Sequence, residues 1–151
     1  PRIKAKSLPR RAKWRVAGKD TTLDIKTEIQ ALLRSVVIAR DEGCVLRNSP
    51  EAGACGGFTN DKVLILQADH LHSRVHSISF GDSRLAVCVC LRHHIFWKKQ
   101  YPAEYEKIIR KIIGRKRCKL LDQVRADYKP YKMDWKLVRF GLYDELAKLT
   151  P

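Results

Sequence analysis

The apolar positions of this chain change period several times, and each change marks a predicted element. Ile25, Ile29, Leu32, Leu33 and Val36 recur at the spacing of one helix face. Thr21 and Asp24 have capping-box spacing, with Asp in place of Glu, and Gly43 ends the run, so an amphipathic helix is predicted between them. Residues 47–61 are rich in Asn, Ser, Pro, Gly and Asp and read as a loop. Lys62 to Ala68 is a short apolar run with strand character that delivers Asp69-His70 at its end. Gly81-Asp82 signals a turn, Arg84 to Val89 reads as a second strand, and Leu91 to Lys99 reads as a helix broken at Pro102. Ala103 to Gly114 reads as a further helix with Tyr105, Ile108, Ile109 and Ile112 on one side. A short helix over Lys119–Ala126 follows, and beyond Pro130 a last one over Asp134–Leu149.

Charge adds a partner to this picture. The 151 residues hold 31 Lys+Arg against 16 Asp+Glu, a formal charge of +15. Such an excess opposes compaction and fits a polyanionic partner, because each neutralised phosphate releases a counterion. DNA is the favoured partner; an anionic membrane surface fits less well. No apolar run approaches the roughly 20 residues that span a bilayer. Residues 1–19 carry eight basic side chains and no acidic one, which reads as a flexible basic arm that orders on nucleic acid. Arg10, Arg11 and Lys13 of this arm are candidate contacts, as are Arg115, Lys116 and Arg117 in a second basic cluster. The rest, residues 20–151, is long enough for one domain with a modest core. The N-terminus lacks the apolar stretch of a signal peptide, so a cytoplasmic location is expected.

Five cysteines stand beside five histidines. In a reducing compartment they read as metal ligands with spare thiols rather than as disulfides. Cys44 and Cys55 bracket a loop, and Cys90 and His93 have the C-x-x-H spacing that lets two side chains at a helix start reach one ion. Three thiolates and one imidazole make a closed tetrahedral structural zinc site. Cys88 is a rival ligand, since strand alternation puts it on the same face as Cys90; a buried hydrophobe is an equal reading. Cys118 reads as an ordinary thiol.

A second constellation suits phosphodiester chemistry, which needs a base to activate water and a cation to neutralise the phosphorane. His70 titrates near neutrality and suits the base. Asp69 offers a hard oxygen ligand for Mg2+ or Mn2+, and His94 offers a second ligand from the helix. Arg74 suits a bidentate contact to the scissile phosphate. His72 and His76 flank the site and read first as solvated loop residues.

His70, Ser73-Arg74, Phe80, Cys90-x-x-His93-His94 and Phe96-Trp97 together resemble the HNH (ββα-metal) endonuclease superfamily, most nearly the phage NinG/Rap-like recombination endonucleases. The resemblance covers about residues 44–113. It implies an α+β fold: a ββα-metal (His-Me finger) core with structural zinc over about residues 44–100, surrounded by α-helices that include C-terminal ones at 103–149. It implies a general base at His70, a metal-binding acid at Asp69, a metal ligand at His94, and a structural zinc set at Cys44, Cys55, Cys90 and His93. It further implies a phage-encoded endonuclease acting on branched, recombining or nicked DNA. A homodimer would supply two active sites, with residues 103–149 as a candidate interface. His93 stands where the family usually has cysteine, the first cysteine pair is widely spaced, and Asp82, Ser83 and Arg84 occupy the region of the family's middle Asn. Two rivals remain: a non-catalytic zinc-stabilised nucleic-acid-binding module, and an RNA-processing nuclease.

Overall fold

A computed structural model describes residues 21–73, 77–127 and 132–150. Helix α1 spans Thr22–Asp41. Its cap is the one the sequence predicts: the Thr21 hydroxyl accepts the Asp24 N–H at 3.1 Å, and the Asp24 carboxylate accepts the Thr21 N–H at 3.2 Å. Both bonds satisfy donors that a helix start leaves without partners. The helix stops at Glu42, which takes a left-handed φ of 53° just before Gly43.

Strand β1, Leu66–His70, pairs antiparallel with β2, Ala86–Cys90; Leu66 lies opposite Cys90 and His70 opposite Ala86. The strand therefore starts later than the predicted Lys62. The preceding segment turns back on itself instead: Lys62 has a φ of 58°, and its N–H bonds the Thr59 carbonyl at 2.9 Å. The second strand also starts later than Arg84, because Asp82 accepts the Arg84 N–H at 2.9 Å and caps a 3-10 turn over Ser83–Leu85. Between the strands lies α2, a single turn at Ser77–Phe80.

Beyond β2 the chain winds into a π-helical segment, Arg92–Trp97, which continues as α3, Lys98–Gln100. Helix α4 spans Pro102–Ala126 but is broken at Gly114, whose φ of 76° and ψ of 172° belong to no helix. A left-handed φ of this kind is open to glycine at little cost. The two arms fold together, joined by Arg110–Asp122 at 2.7 Å and Arg125–Glu106 at 2.5 Å. The buried stripe of the first arm is Tyr105, Ile109 and Ile113, while Ile112 is 43% exposed. The sequence gives a stripe's period but not which neighbour fixes its phase, so Ile112 and Ile113 exchange roles. Helix α5, Trp135–Leu149, is capped by Asp134, whose carboxylate accepts two backbone N–H groups.

The hairpin sits between two apolar layers. Ala86 and Cys88 face the cluster that α1 forms with Leu142 and Leu146 of α5. Val87 and Val89 face a second cluster with Cys44, Leu46, Cys90, Trp97, Tyr105 and Ile109. Cys88 and Cys90 are thus parted, against the expectation from alternation, because the strand ends at Cys90 and the helical segment begins. The edge of β2 away from β1 is covered by side chains. Arg40 donates to the carbonyls of Ser83 and Ala86 at 2.7 and 2.9 Å, and Arg117 donates to that of Ala86 at 2.7 Å. Asp41 accepts the Cys88 N–H at 2.8 Å, and Val45 N–H bonds the Cys88 carbonyl at 2.9 Å. Among the described residues no helix is long and apolar enough to cross a membrane.

Candidate metal centre and active-site groove

Four chain segments converge behind the hairpin. Cys44 follows α1, Cys55 comes from the loop, Cys90 ends β2, and His93 lies in the first turn of the π-helical segment. Their ligand atoms all lie within 4.8 Å of one another. This is the predicted Cys3His set, and Cys88 is not part of it. His93 Nδ1 lies 3.3 Å from both Cys44 Sγ and Cys90 Sγ. A tetrahedral zinc ion separates its ligands by about 3.5 Å for S···N and about 3.8 Å for S···S, so the group fits such an ion. His93 Nε2 lies 3.2 Å from the Ala52 carbonyl. Donation there turns the Nδ1 lone pair toward the sulfurs, the outer-shell arrangement typical of ligating histidines.

Burial shapes the charge states. It pushes His93 below its usual range, toward the neutral form that binds metal. It pushes the Cys44 thiol up, and burial with the neighbouring Cys44 and Cys90 pushes Cys55 up to about 12. Without a cation the Cys44 and Cys55 thiols hold their protons, so metal uptake must release them.

The loop carrying Cys55 is fixed by backbone bonds from Arg92 N–H to the Gly56 carbonyl at 3.2 Å and from Ile65 N–H to the Gly57 carbonyl at 2.8 Å. Gly57 has a φ of 85°, and a Cβ there would lie 2.5 Å from Leu91 Cβ. Gly57→Ala is therefore expected to destabilise the zinc-loaded protein by about 1–3 kcal/mol through strain and overlap. An unchanged thermal midpoint would contradict this account of the loop.

A groove of about 850 Å³ opens beside the hairpin, lined by Gln30 and Arg34 of α1, by Asp69, His70 and His72, and by His94 and Lys98. Successive side chains of a helical segment point in different directions around its axis. His93 thereby joins the cysteines while His94 lines the groove. His94 Nδ1 lies 3.2 Å from Asp69 Oδ1. Asp69 is 2% exposed. Lys98 Nζ lies 2.7 and 2.8 Å from its two oxygens, and the Tyr105 hydroxyl donates to Oδ2. Burial alone raises the Asp69 pKa, but the neighbouring His94 and the bonds from Lys98 and Tyr105 outweigh it and hold the carboxyl below its usual value. Tyr105 is pushed well above its own by burial and by the Asp69 charge, so it stays a donor.

The structure thus gathers Asp69, His70 and His94 in one groove. His72 and Ser73 line it too. Arg74, His76 and the arm residues Arg10, Arg11 and Lys13 lie outside the described residues. Arg115 and Lys116 are exposed just past Gly114. Arg117 has another use than a solvent-facing contact: it donates to the carbonyls of Arg84 and Ala86 at 2.8 and 2.7 Å. Asp82 and Arg84 pair with each other at 2.6 Å, and the Ser83 hydroxyl donates to Glu145 at 2.7 Å, so all three serve the turn before β2. Sequence reasoning missed Lys98, Tyr105, Gln30 and Arg34 at the groove. Of these only Lys98 carried a local signal, its position four residues beyond His94. No protein-family model, no curated protein and no solved structure matches this chain.

Proposed function

We propose that this chain is a metal-dependent DNA endonuclease of the ββα-metal (HNH) type. The observation that supports this reading is the hairpin running into a helical segment, which brings Asp69, His70 and His94 to one groove with a Cys3His cluster behind it. His70 accepts a proton from a water molecule as that water attacks phosphorus. The new P–O bond forms as the P–O3′ bond breaks, leaving a 5′-phosphate, and the 3′-oxygen takes its proton from solvent. Asp69 Oδ1 and His94 Nδ1, 3.2 Å apart, suit neighbouring positions around Mg2+ or Mn2+, where ligands at ~2.1 Å stand about 3.0 Å apart. Such a cation supplies positive charge against the phosphorane and the leaving oxygen. The zinc group fixes the first turn of the helical segment and so the position of His94.

Exposed Arg115 and Lys116, with the basic arm, supply contacts to flanking phosphate that carry affinity and little sequence information. Branched or nicked recombination DNA is the proposed substrate, on the resemblance to phage recombination endonucleases. A second reading, a zinc-stabilised nucleic-acid-binding module without catalysis, is favoured by one observation: the Asp69 carboxylate is already engaged by Lys98 and Tyr105. The deciding experiment sets four-way junction, flap, nicked and plain duplex DNA side by side with Mg2+ or Mn2+, comparing the wild type with His70→Ala. Cleavage that depends on His70 supports the nuclease. Binding without cleavage by either protein supports the module, and RNA in parallel tests the RNA-processing alternative.

A further inference from the structure

Lys98 lines the groove and is used by neither the proposed catalytic roles nor the zinc group, yet it is held directly on Asp69. Its ammonium bridges both oxygens of Asp69 at 2.7 and 2.8 Å, the place on a carboxylate where a hard cation sits. It also lies 5.2 Å from the centre of the Tyr105 ring, whose face favours a positive charge. Asp69 is almost fully buried, with 3% of its side chain exposed, so it must be matched by a cation. Lys98 itself is 35% exposed and lines the groove, and four methylenes let its head leave while its backbone stays in place.

We infer that Lys98 is an internal cation that competes with a divalent ion for Asp69, so that loading of the Asp69–His94 site requires the ammonium to turn out into the groove. This rests on the endonuclease reading of those two residues. Two positive charges cannot share one buried carboxylate without strong repulsion. The ion must therefore displace the ammonium and give back its hydrogen bonds. The metal affinity of the wild type is accordingly set low by its own side chain. An uncharged residue at position 98 removes the competitor and leaves Asp69 in need of a cation.

Mn2+ binding to the full-length, zinc-loaded protein, followed by electron paramagnetic resonance of the free ion, tests this without reference to activity. Lys98→Met is expected to bind Mn2+ about tenfold more tightly than the wild type, equivalent to about 1.4 kcal/mol of competition removed. Lys98→Gln, which keeps a hydrogen-bond donor but no charge, is expected to follow it and covers a folding defect in the methionine variant. Lys98→Arg is expected to stay at the wild-type level, and Asp69→Asn to lose the site. If both neutral variants bind Mn2+ as the wild type does while Asp69→Asn loses it, the competition is overturned and the metal site stands. If none of the proteins binds Mn2+ better than Asp69→Asn, the metal site falls and the competition with it.

Discussion

Cys90→Ser is expected to remove the bound zinc and most of the cooperative fold together. Cys90 joins β2 to the π-helical segment, and its sulfur lies beside His93 Nδ1 at 3.3 Å in the fully buried part of the cluster. The apparent free energy of a structural zinc site is about 10–16 kcal/mol at neutral pH. The net stability of a whole domain is only about 5–15 kcal/mol. The loop at 44–65 has little regular structure to replace that contribution. Metal analysis should return about one tightly held zinc per wild-type chain and much less for the variant. Far-UV and near-UV circular dichroism should show the variant, and the wild type after chelation, losing their sharp thermal transition. Cys88→Ala is the contrast: Cys88 packs against α1 outside the ligand group, so its zinc content should be unchanged. A Cys90→Ser protein that melted as sharply as the wild type would refute the structural role.

Acid should have the same effect by a different route. Burial holds His93 below its ordinary value of 6.5. The unfolded chain therefore takes up the proton first, and the contribution of neutral His93 is fully present above about 6.5 and lost as pH falls through the folded value. Protons also compete with zinc for the thiolates, so zinc release should steepen the loss.

His70→Ala is expected to lower the cleavage rate about 10²–10⁴-fold, the usual contribution of a positioned general base, with DNA affinity nearly unchanged. His70 ends β1 and is half-buried on the groove wall, so its removal opens little core. The zinc content and melting temperature of this variant should match the wild type, which separates a chemical loss from a folding one. Single-turnover nicking at saturating protein is the appropriate measurement, because it reads the chemical step rather than product release. A variant that cleaves at more than about a tenth of the wild-type rate would leave His70 without the role of base.

What the sequence disclosed and what it hid divide along physical lines. The capping box at Thr21 and Asp24 and the apolar stripe of α1 are local, so spacing alone reveals them. The Cys3His group was legible because few other uses gather thiols and imidazole in so basic a chain, although its C-x10-C half is unusual. The phase of the α4 stripe was not legible, since Ile113 and not Ile112 meets the second core cluster only after the helix has docked. Nor was the Asp69–Tyr105 bond, which joins residues 36 positions apart and leaves no periodic trace. The same is true of Lys98: its four-residue spacing from His94 places it on the same side, but only the hairpin's position puts Asp69 within its reach.

The covering of β2 reaches beyond its own hydrogen bonds. An uncovered strand is a template on which another chain can add a strand, the first step of runaway association. In β2 the free carbonyl of Ala86 is taken by two guanidinium groups and the Cys88 amide by a carboxylate, so an incoming strand finds charge and no vacant partner. Two copies of this chain cannot pair by extending the sheet through β2. Helical surface is more open than this edge, as on the face of α5 where Leu137 and Phe140 are 67% and 71% exposed.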